Sequence, residues 1–564
     1  MSISLSGPPQ SQGDLERTHR TTWVLLKPIR SQAFWEGVFF VSILLAYAFP
    51  LIYSLYAKAD FTVLANESLA YRYFAIDRLN AGENGNIWLP QGQFTTALQR
   101  GAMWALDAVE QVRPLTLRQR LNGFAYLALF FNLLLVAILL ALTAWNRSLD
   151  WGNRALIATV LLVPIYCAHT NGLSYHLLPD YLAVSIVLLA YSLFVIVADD
   201  GSGRAQRPER EGLVVGALTG LLLANKVTLA PPAFLLIVST MFRAGWQRRR
   251  LLLHAVTIAI ASLLSILLVL CVVYSFRLSA VRNMLPQWYR FVRNPGTEPD
   301  FLVRIYEYTG LYFGYGVAYA LGAAVIFVAL GIVSNGLTAH RAAVLAGGAG
   351  IFFAGFVFVS RRPAQTTFFE VFCLLIFLSA TLLAALPTGR LRRYISLAAA
   401  GMWLLHACVT FPVGASLAMI SSSRAMADER WALFEDTLAL AAGRQILVVF
   451  PNNEFHHEGV HELLLKASAK FPTWMIDATG KRFLQRFSPR TRYYDEYNRS
   501  NIGTAIAESA IVLWFDSTDL APLEQQYPDL RELMQSPAVK CQRGEYHNVS
   551  GEVGHVWWRC VKPS

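Results

Sequence analysis

A run of acidic and aromatic residues follows the first hydrophobic segment of the chain. It extends from Asn66 to Leu79 and carries Glu67 and Asp77, and Asp60 precedes it. Asp77 lies ten residues after Glu67, so in a helix the two return to nearly the same face. A carboxylate held at a membrane surface can accept the proton of an attacking hydroxyl group. The three acids are therefore candidate catalytic residues. Glu67 and Asp77 are equally explained as solvated surface charges, and for Asp60, at the start of a loop, the solvated charge is the favoured explanation.

Basic residues at the ends of apolar segments form a second candidate set. Lys226 ends an apolar stretch that begins at Gly216, and Arg361 and Arg362 are adjacent between two apolar segments. Guanidinium and ammonium groups bind phosphate. We predict that these residues contact the phosphate of a lipid-linked substrate. For Lys226 the alternative is a side chain that only extends to the membrane surface.

A short turn between two apolar segments carries His169, His176 and Asp180. These side chains can orient a substrate or hold a metal ion. Asp180 can equally stabilise the N-terminus of a helix, which is the interpretation that we favour for it. A divalent metal ion is compatible with the pattern, but the sequence contains no clear ligand set for one.

One string, His457-Glu458-Gly459-Val460-His461, matches the H-E-x-x-H pattern of zinc peptidases. In those enzymes the string lies well inside a helix. Here it follows a predicted strand and an Asn-Asn turn and contains a glycine, so it is better explained as the polar first turn of a surface helix.

The composition is that of a polytopic membrane protein. Of 564 residues, 55% are hydrophobic and 15% are charged, and the mean hydropathy is +0.40. The net charge is +11, but the basic residues cluster in short connections between apolar runs. They therefore indicate the orientation of the chain in the membrane, and we expect no nucleic-acid partner.

Apolar runs of roughly 20 residues predict about eleven membrane-spanning helices. Their approximate bounds are 35–56, 122–145, 155–170, 179–198, 212–227, 230–243, 250–276, 309–333, 341–360, 366–387 and 394–416. Residues 1–34 are predicted to be a cytoplasmic tail, followed by a membrane domain at 35–420. The positive-inside rule then places a long loop at 57–121 and everything after residue 420 on the outer face.

Residues 421–564 are predicted to form a soluble α/β domain outside the cytoplasm, because the long apolar runs end there. Residues 446–450 and 510–515 have the composition of buried strands, and residues 459–469 that of a helix. Cys541 and Cys560 bracket a strand-rich stretch of this domain. An oxidising compartment would allow them to form a disulfide.

In layout the chain resembles the GT-C superfamily of integral-membrane glycosyltransferases, especially the aminoarabinose-transferase-like and protein-mannosyltransferase-like members. Asn66-Glu67 stands where many members have an acidic pair, and residues 79–82 resemble the end of the helix that follows. Residues 216–226 resemble the family's glycine-rich helix ending in lysine, and residues 179–183 the start of its fourth span.

This resemblance implies a GT-C-like fold and an enzyme of the bacterial inner membrane. Such an enzyme moves a sugar from a polyprenyl-phosphate donor to a lipid, glycan or protein acceptor by a single inverting displacement. By the same resemblance Glu67 is the base, Asp77 or Asp180 a supporting acid, and Lys226 a phosphate ligand. Because Asn66 replaces an acid of the family, Asp60 is the alternative base.

Two other functions remain open from the sequence. A transporter or flippase for a lipid-linked anion would use the same cations, and helices broken near Pro231-Pro232 would suit it. The long first loop and the outer domain favour the enzyme. A zinc peptidase would depend on His457, Glu458 and His461.

Overall fold

The computed structural model of the chain describes most of the helical part and most of the C-terminal sheet. The described residues are 12–64, 67–80, 92–146, 149–166, 188–192, 208–226, 229–244, 247–277, 338–359, 376–382, 389–410, 413–449, 491–494, 502–517, 523–547 and 553–563, with a few isolated positions. Within them the chain is mostly helical and ends in a small β-sheet.

Twelve described helices precede the sheet. They are α1 (Gln12–Tyr56), α2 (Phe61–Leu64), α3 (Glu67–Asn80), α4 (Gln93–Val112), α5 (Leu117–Trp145), α6 (Trp151–Tyr166), α7 (Pro208–Asn225), α8 (Ala230–Ala244), α9 (Arg248–Val273), α10 (Ala339–Val359), α11 (Arg390–Thr410) and α12 (Val413–Ala441).

Three of the described helices are long and apolar enough to cross a membrane. They are Ala33–Tyr56 within α1, all of α5 and all of α9. The apolar helices predicted at 35–56, 122–145 and 250–276 are thus confirmed. The total of about eleven spans stays a prediction. α1 already begins at Gln12, inside the segment that the sequence assigns to a tail.

The glycine-rich helix α7 packs closely against α9. A Cβ atom at Gly216 would lie 2.6 Å from the carbonyl oxygen of Ile258, and one at Gly220 would overlap the carbonyl oxygen of Ser262. The Ser262 hydroxyl donates a hydrogen bond of 2.8 Å to the Gly216 carbonyl. Small residues on a helix allow such close backbone contact, so this stripe fixes α7 against α9.

α7 and α8 are separate helices, as the apolar segments 212–227 and 230–243 predict. The chain turns between Asn225 and Ala230, and Pro231 and Pro232 lie in the first turn of α8. The first turn tolerates proline because its backbone N–H groups have no partner within the helix. The two helices have 18 and 15 residues, fewer than the roughly 20 of a typical span.

The C-terminal part contains a five-stranded mixed sheet with the order β2-β1-β3-β5-β4. Its elements are β1 (Ile446–Val449), β2 (Thr491–Tyr494), α13 (Ile502–Glu508), β3 (Ile511–Ser517), α14 (Leu523–Gln526), α15 (Pro528–Gln535), β4 (Lys540–His547) and β5 (Val553–Val561). β1 is parallel to β2 and β3, whereas β5 is antiparallel to β3 and β4. The predicted strands are confirmed over residues 446–449 and 511–515, whereas the helix predicted at 459–469 lies outside the described residues.

The predicted disulfide is also confirmed. Cys541 on β4 and Cys560 on β5 are directly opposite in the antiparallel register and are bonded. The Cys560 side chain is fully buried against one face of the sheet. On the other face, Leu433 and Ala441 of α12 pack against β1 and β3. α12 therefore runs from the helical part into the core of the C-terminal sheet.

Candidate functional site

Asp60 lies in the turn that ends α1. The backbone N–H of Ala59 donates to the Ser54 carbonyl, and the N–H of Lys58 donates to the Leu55 carbonyl. This is the Schellman arrangement of a helix C-terminus, and Lys58 occupies its left-handed position with φ 52°. Glycine is the usual residue there, because a Cβ atom is strained at positive φ. The turn directs the next residues, Ala59 and Asp60, into the protein.

The Asp60 carboxylate is buried and held from two sides. Oδ1 accepts a hydrogen bond of 2.9 Å from the backbone N–H of Thr62 and a short one from its hydroxyl, so Asp60 caps α2. Oδ2 accepts a hydrogen bond of 2.6 Å from Nε of Arg118. The Asp60 side chain is 5% exposed. A carboxylate offers about four acceptor positions, so one remains for a further donor.

Arg118 lies in the first turn of α5, whose start is fixed by a capping box. The Thr116 hydroxyl accepts from the N–H of Gln119, and the Gln119 carboxamide oxygen accepts from the N–H of Thr116. From this position Arg118 extends one N–H group to Asp60 and another to Asp428 of α12, at 2.5 Å. One guanidinium therefore joins two carboxylates from distant parts of the chain.

These residues line a cleft of about 910 Å³ between the end of α1, the start of α5, and α12. Its apolar lining includes Leu55, Trp431 and Phe434. Its charged lining includes two exposed cations, Lys58 and Arg424. Within the described part of the chain, neither of these cations forms an ion pair. The cleft thus combines a buried carboxylate, two cations that face solvent and two exposed acids, Asp428 and Glu435. The buried carboxylate and the cations suit a substrate with both a hydroxyl group and an anionic group.

Asp77 belongs to a second cluster, around Arg120 of α5. An Arg120 Nη atom lies 2.5 Å from Asp107 and 3.8 Å from Asp77, and the other Nη pairs closely with Glu110. Nε of Arg120 donates to the Tyr73 hydroxyl at 2.9 Å. The Arg120 side chain is 5% exposed. It connects α3, α4 and α5, and Asp77 is its most distant carboxylate partner.

Lys226 is buried at the end of α7, beside the first turn of α4. The preceding residue, Asn225, accepts from the backbone N–H of Gly92 through its carbonyl, at 2.6 Å. Its side-chain oxygen accepts from the N–H of Thr95 at 3.1 Å. Asn225 therefore caps α4 from another helix, because Gly92 has no side chain for this role.

Arg100 of α4 makes the next contact with α9. It donates to the carbonyl of Val272 at 2.9 Å and also to that of Val273, at the end of α9. Burial, and then the charge of Arg277, lower the pKa of Arg100 from its ordinary value. Lys226, Arg100 and Arg277 thus make this end of α4 cationic.

The cationic end and the cleft lie at opposite ends of α4. Asn225 contacts the first turn of α4, whereas Arg120, two residues after Arg118, contacts Asp107 near its last turn. Thr95 and Asp107 are twelve residues apart, so at 1.5 Å per residue the two contacts are separated by roughly 18 Å along the helix. The prediction that Lys226 binds phosphate stays open, but it concerns a different place from the Asp60 cleft.

The remaining candidates fall on less described parts of the chain. Glu67 is the first residue of α3, but its side chain is outside the described residues. His176, Asp180, Arg361, Arg362 and the string 457–461 are also outside them. Among the described side chains, no three His, Cys, Asp or Glu residues are grouped to hold a metal ion.

The sequence interpretation did not single out Arg118, Asp428 or the two cations of the cleft. The capping box at Thr116 and Gln119 is the one sequence pattern that bears on the cleft. It marks the start of α5 and so places Arg118 in the first turn of that helix. Comparison with protein-family models, curated proteins and solved structures finds no match for the chain.

Proposed function

We propose that the protein is a glycosyltransferase that uses a polyprenyl-phosphate sugar as donor and the Asp60 carboxylate as base. The observation that carries this proposal is the buried Asp60, with one acceptor position left, in a cleft that also contains cations. The layout of the sequence, which resembles the GT-C enzymes, supports the same function. We place the reaction on the outer face of a bacterial inner membrane, in line with the charges of the predicted loops.

The reaction is a single displacement at the anomeric carbon. The acceptor hydroxyl gives its proton to Asp60 as its oxygen bonds to that carbon. The bond between the carbon and the phosphate oxygen breaks, and polyprenyl phosphate leaves with the electron pair. Lys58 and Arg424 stabilise the negative charge of the departing phosphate. Attack opposite to the leaving group inverts the anomeric configuration.

This assignment differs in one point from the expectation based on resemblance, which names Glu67. We assign the role of base to Asp60 because it is buried at the edge of the cleft and because its bonds to Thr62 and Arg118 leave one acceptor position. Asp77 supports the structure in our proposal, because its carboxylate faces Arg120 together with Asp107 and Glu110.

The test uses the full chain in lipid nanodiscs with short-chain polyprenyl-phosphate sugars and a panel of lipid, glycan and peptide acceptors. Mass spectrometry measures the release of polyprenyl phosphate and the formation of glycosylated acceptor. Loss of a general base typically reduces the rate 10²- to 10⁴-fold, so we expect Asp60→Asn to lower kcat by about 10³-fold. Glu67→Gln and Asp77→Asn serve as matched carboxylate-to-amide controls.

Two results would contradict the proposal. If Asp60→Asn is fully active and Glu67→Gln is inactive, the base is the one that the resemblance names. If a labelled lipid-linked sugar crosses the membrane of proteoliposomes with no bond broken, the protein is a transporter and not a transferase.

A further inference from the structure

The helix α12 contacts the Asp60 segment, residues 57–64, directly at two points and through Arg118 at a third. The backbone N–H of Asp60 donates to the Ser423 hydroxyl at 3.0 Å, and Nε1 of Trp431 donates to the Thr62 hydroxyl at 3.1 Å. Asp428 binds Arg118 at 2.5 Å. At about 100° per residue, these three positions of α12 fall within roughly 140° of its circumference. One face of α12 therefore binds the Asp60 backbone directly. It also supports the two carboxylate oxygens of Asp60 indirectly, through Thr62 and Arg118.

The same stretch of α12 is fixed to the C-terminal sheet. Arg430 is fully buried and its guanidinium lies over the Tyr546 ring of β4, at 5.3 Å from the centroid. Further along, Arg559 of β5 donates to the Thr437 hydroxyl at 3.4 Å. Leu433 completes an apolar cluster with strands β1 and β3. Neighbouring residues of α12 therefore contact both the sheet and the Asp60 segment, so the helix connects the C-terminal sheet to the cleft.

We propose that the C-terminal domain positions the catalytic carboxylate, with Asp428 and Trp431 of α12 as positioning residues that act through Arg118 and Thr62. The catalytic part of this inference rests on the proposed function, whereas the structural part does not. An aspartate with three fixed donors has a defined direction for its remaining lone pair. Misplacing a catalytic group by about 1 Å can lower a rate as much as 10²-fold, so an indirect support of this kind has a measurable effect.

The experiment compares Asp428→Asn and Trp431→Phe with the control Asp436→Asn. Asp436 is an exposed acid of the same helix that does not line the cleft. Trp431→Phe keeps an aromatic ring and removes the N–H donor together with part of the buried ring volume. All variants are full-length proteins in nanodiscs, and their thermal unfolding is recorded so that a folding defect is recognised.

Two quantities are measured on each variant. The first is amide hydrogen exchange in a peptide covering residues 57–64, where we expect exchange to become roughly tenfold faster for Asp428→Asn and Trp431→Phe and to stay unchanged for Asp436→Asn. The second is sugar transfer, where kcat should fall about tenfold with KM within about twofold. Asp428→Glu, which retains the charge, should restore kcat.

The two measurements separate the two proposals. Unchanged exchange in both α12 variants would overturn the positioning role. Faster exchange with kcat unchanged would also overturn it, because the segment would then be loosened with no consequence for Asp60. If the unaltered protein transfers no sugar while amide exchange becomes faster in Asp428→Asn and Trp431→Phe, the proposed function is wrong. The inference that α12 stabilises the Asp60 segment is then still supported.

Discussion

Arg118 and Arg120 lie two residues apart at the start of α5 and both bind carboxylates, but their surroundings differ. Arg118 is 27% exposed and borders the cleft, where it joins Asp60 to Asp428. Arg120 is 5% exposed and lies among three acids of α3 and α4. Within one turn of α5, Arg118 thus binds a candidate catalytic carboxylate, whereas Arg120 holds helices α3, α4 and α5 together.

The difference follows from what lies beyond each guanidinium. Beyond Arg118 there is the cleft with Lys58 and Arg424, so a substrate can approach the carboxylate that Arg118 holds. Beyond Arg120 there are protein groups, including the Tyr73 hydroxyl and the Met103 sulfur. Breaking a buried ion pair by removing one partner is costly, because the other partner is left as an uncompensated buried charge.

The largest expected effect on stability is at Arg120. Arg120→Gln removes the buried charge that three carboxylates share, so we expect the free energy of unfolding to fall by about 3 kcal/mol. Arg118→Gln should lower it by roughly 1 to 2 kcal/mol, because it leaves the buried Asp60 without its charged partner, whereas Asp428 is 56% exposed and solvent screens that second pair. Denaturant unfolding of the full chain in detergent measures both. Equal losses would remove the distinction between the two arginines.

A smaller effect is expected at the two cations of the cleft. Lys58→Ala and Arg424→Ala should each lower kcat/KM for the polyprenyl-phosphate sugar roughly tenfold, since a hydrogen bond to a charged group contributes about 1.5 to 3 kcal/mol. Added salt should lower kcat/KM of the unaltered protein but not of the double variant. Arg249→Ala, an exposed cation at the start of α9, is the control. A tenfold change in that control would point to a general charge effect instead.

Sequence patterns predicted the elements better than the site. Long apolar runs predicted α1, α5 and α9, and β-branched runs predicted β1 and β3, because each depends only on neighbouring residues. The disulfide between Cys541 and Cys560 could be predicted from the expectation of an oxidising compartment alone. The glycine stripe of α7 was noted for its likeness to a family motif, whereas its contacts with α9 reveal a packing role.

The site could not be predicted to the same extent because its contacts join distant residues. The Asp60 N–H and the Ser423 hydroxyl are 363 residues apart in sequence, and no local pattern relates them. Lys58 adopts the left-handed conformation that glycine usually signals, so its turn had no marker in the sequence. Asp60 was a candidate, but only as the alternative to Glu67.

The smallest expected effect is at Asp77, which the sequence also named as catalytic. Its carboxylate is 3.8 Å from Arg120, which keeps closer partners in Asp107 and Glu110. Asp77→Asn also reduces the repulsion among three acids, which offsets the lost attraction. We therefore expect the free energy of unfolding to change by less than about 1 kcal/mol. Since Asp77 faces Arg120 and not the cleft, kcat should stay within about threefold.

Asp107→Asn is the matched control for this prediction, because Asp107 is the nearer partner of the same guanidinium at 2.5 Å. It should cost more stability than Asp77→Asn and leave kcat per folded molecule unchanged. A loss of about 10³-fold in kcat for Asp77→Asn at unaltered stability would make Asp77 the base. The Arg120 cluster would then be the catalytic region, and the cleft at Arg118 would need another role.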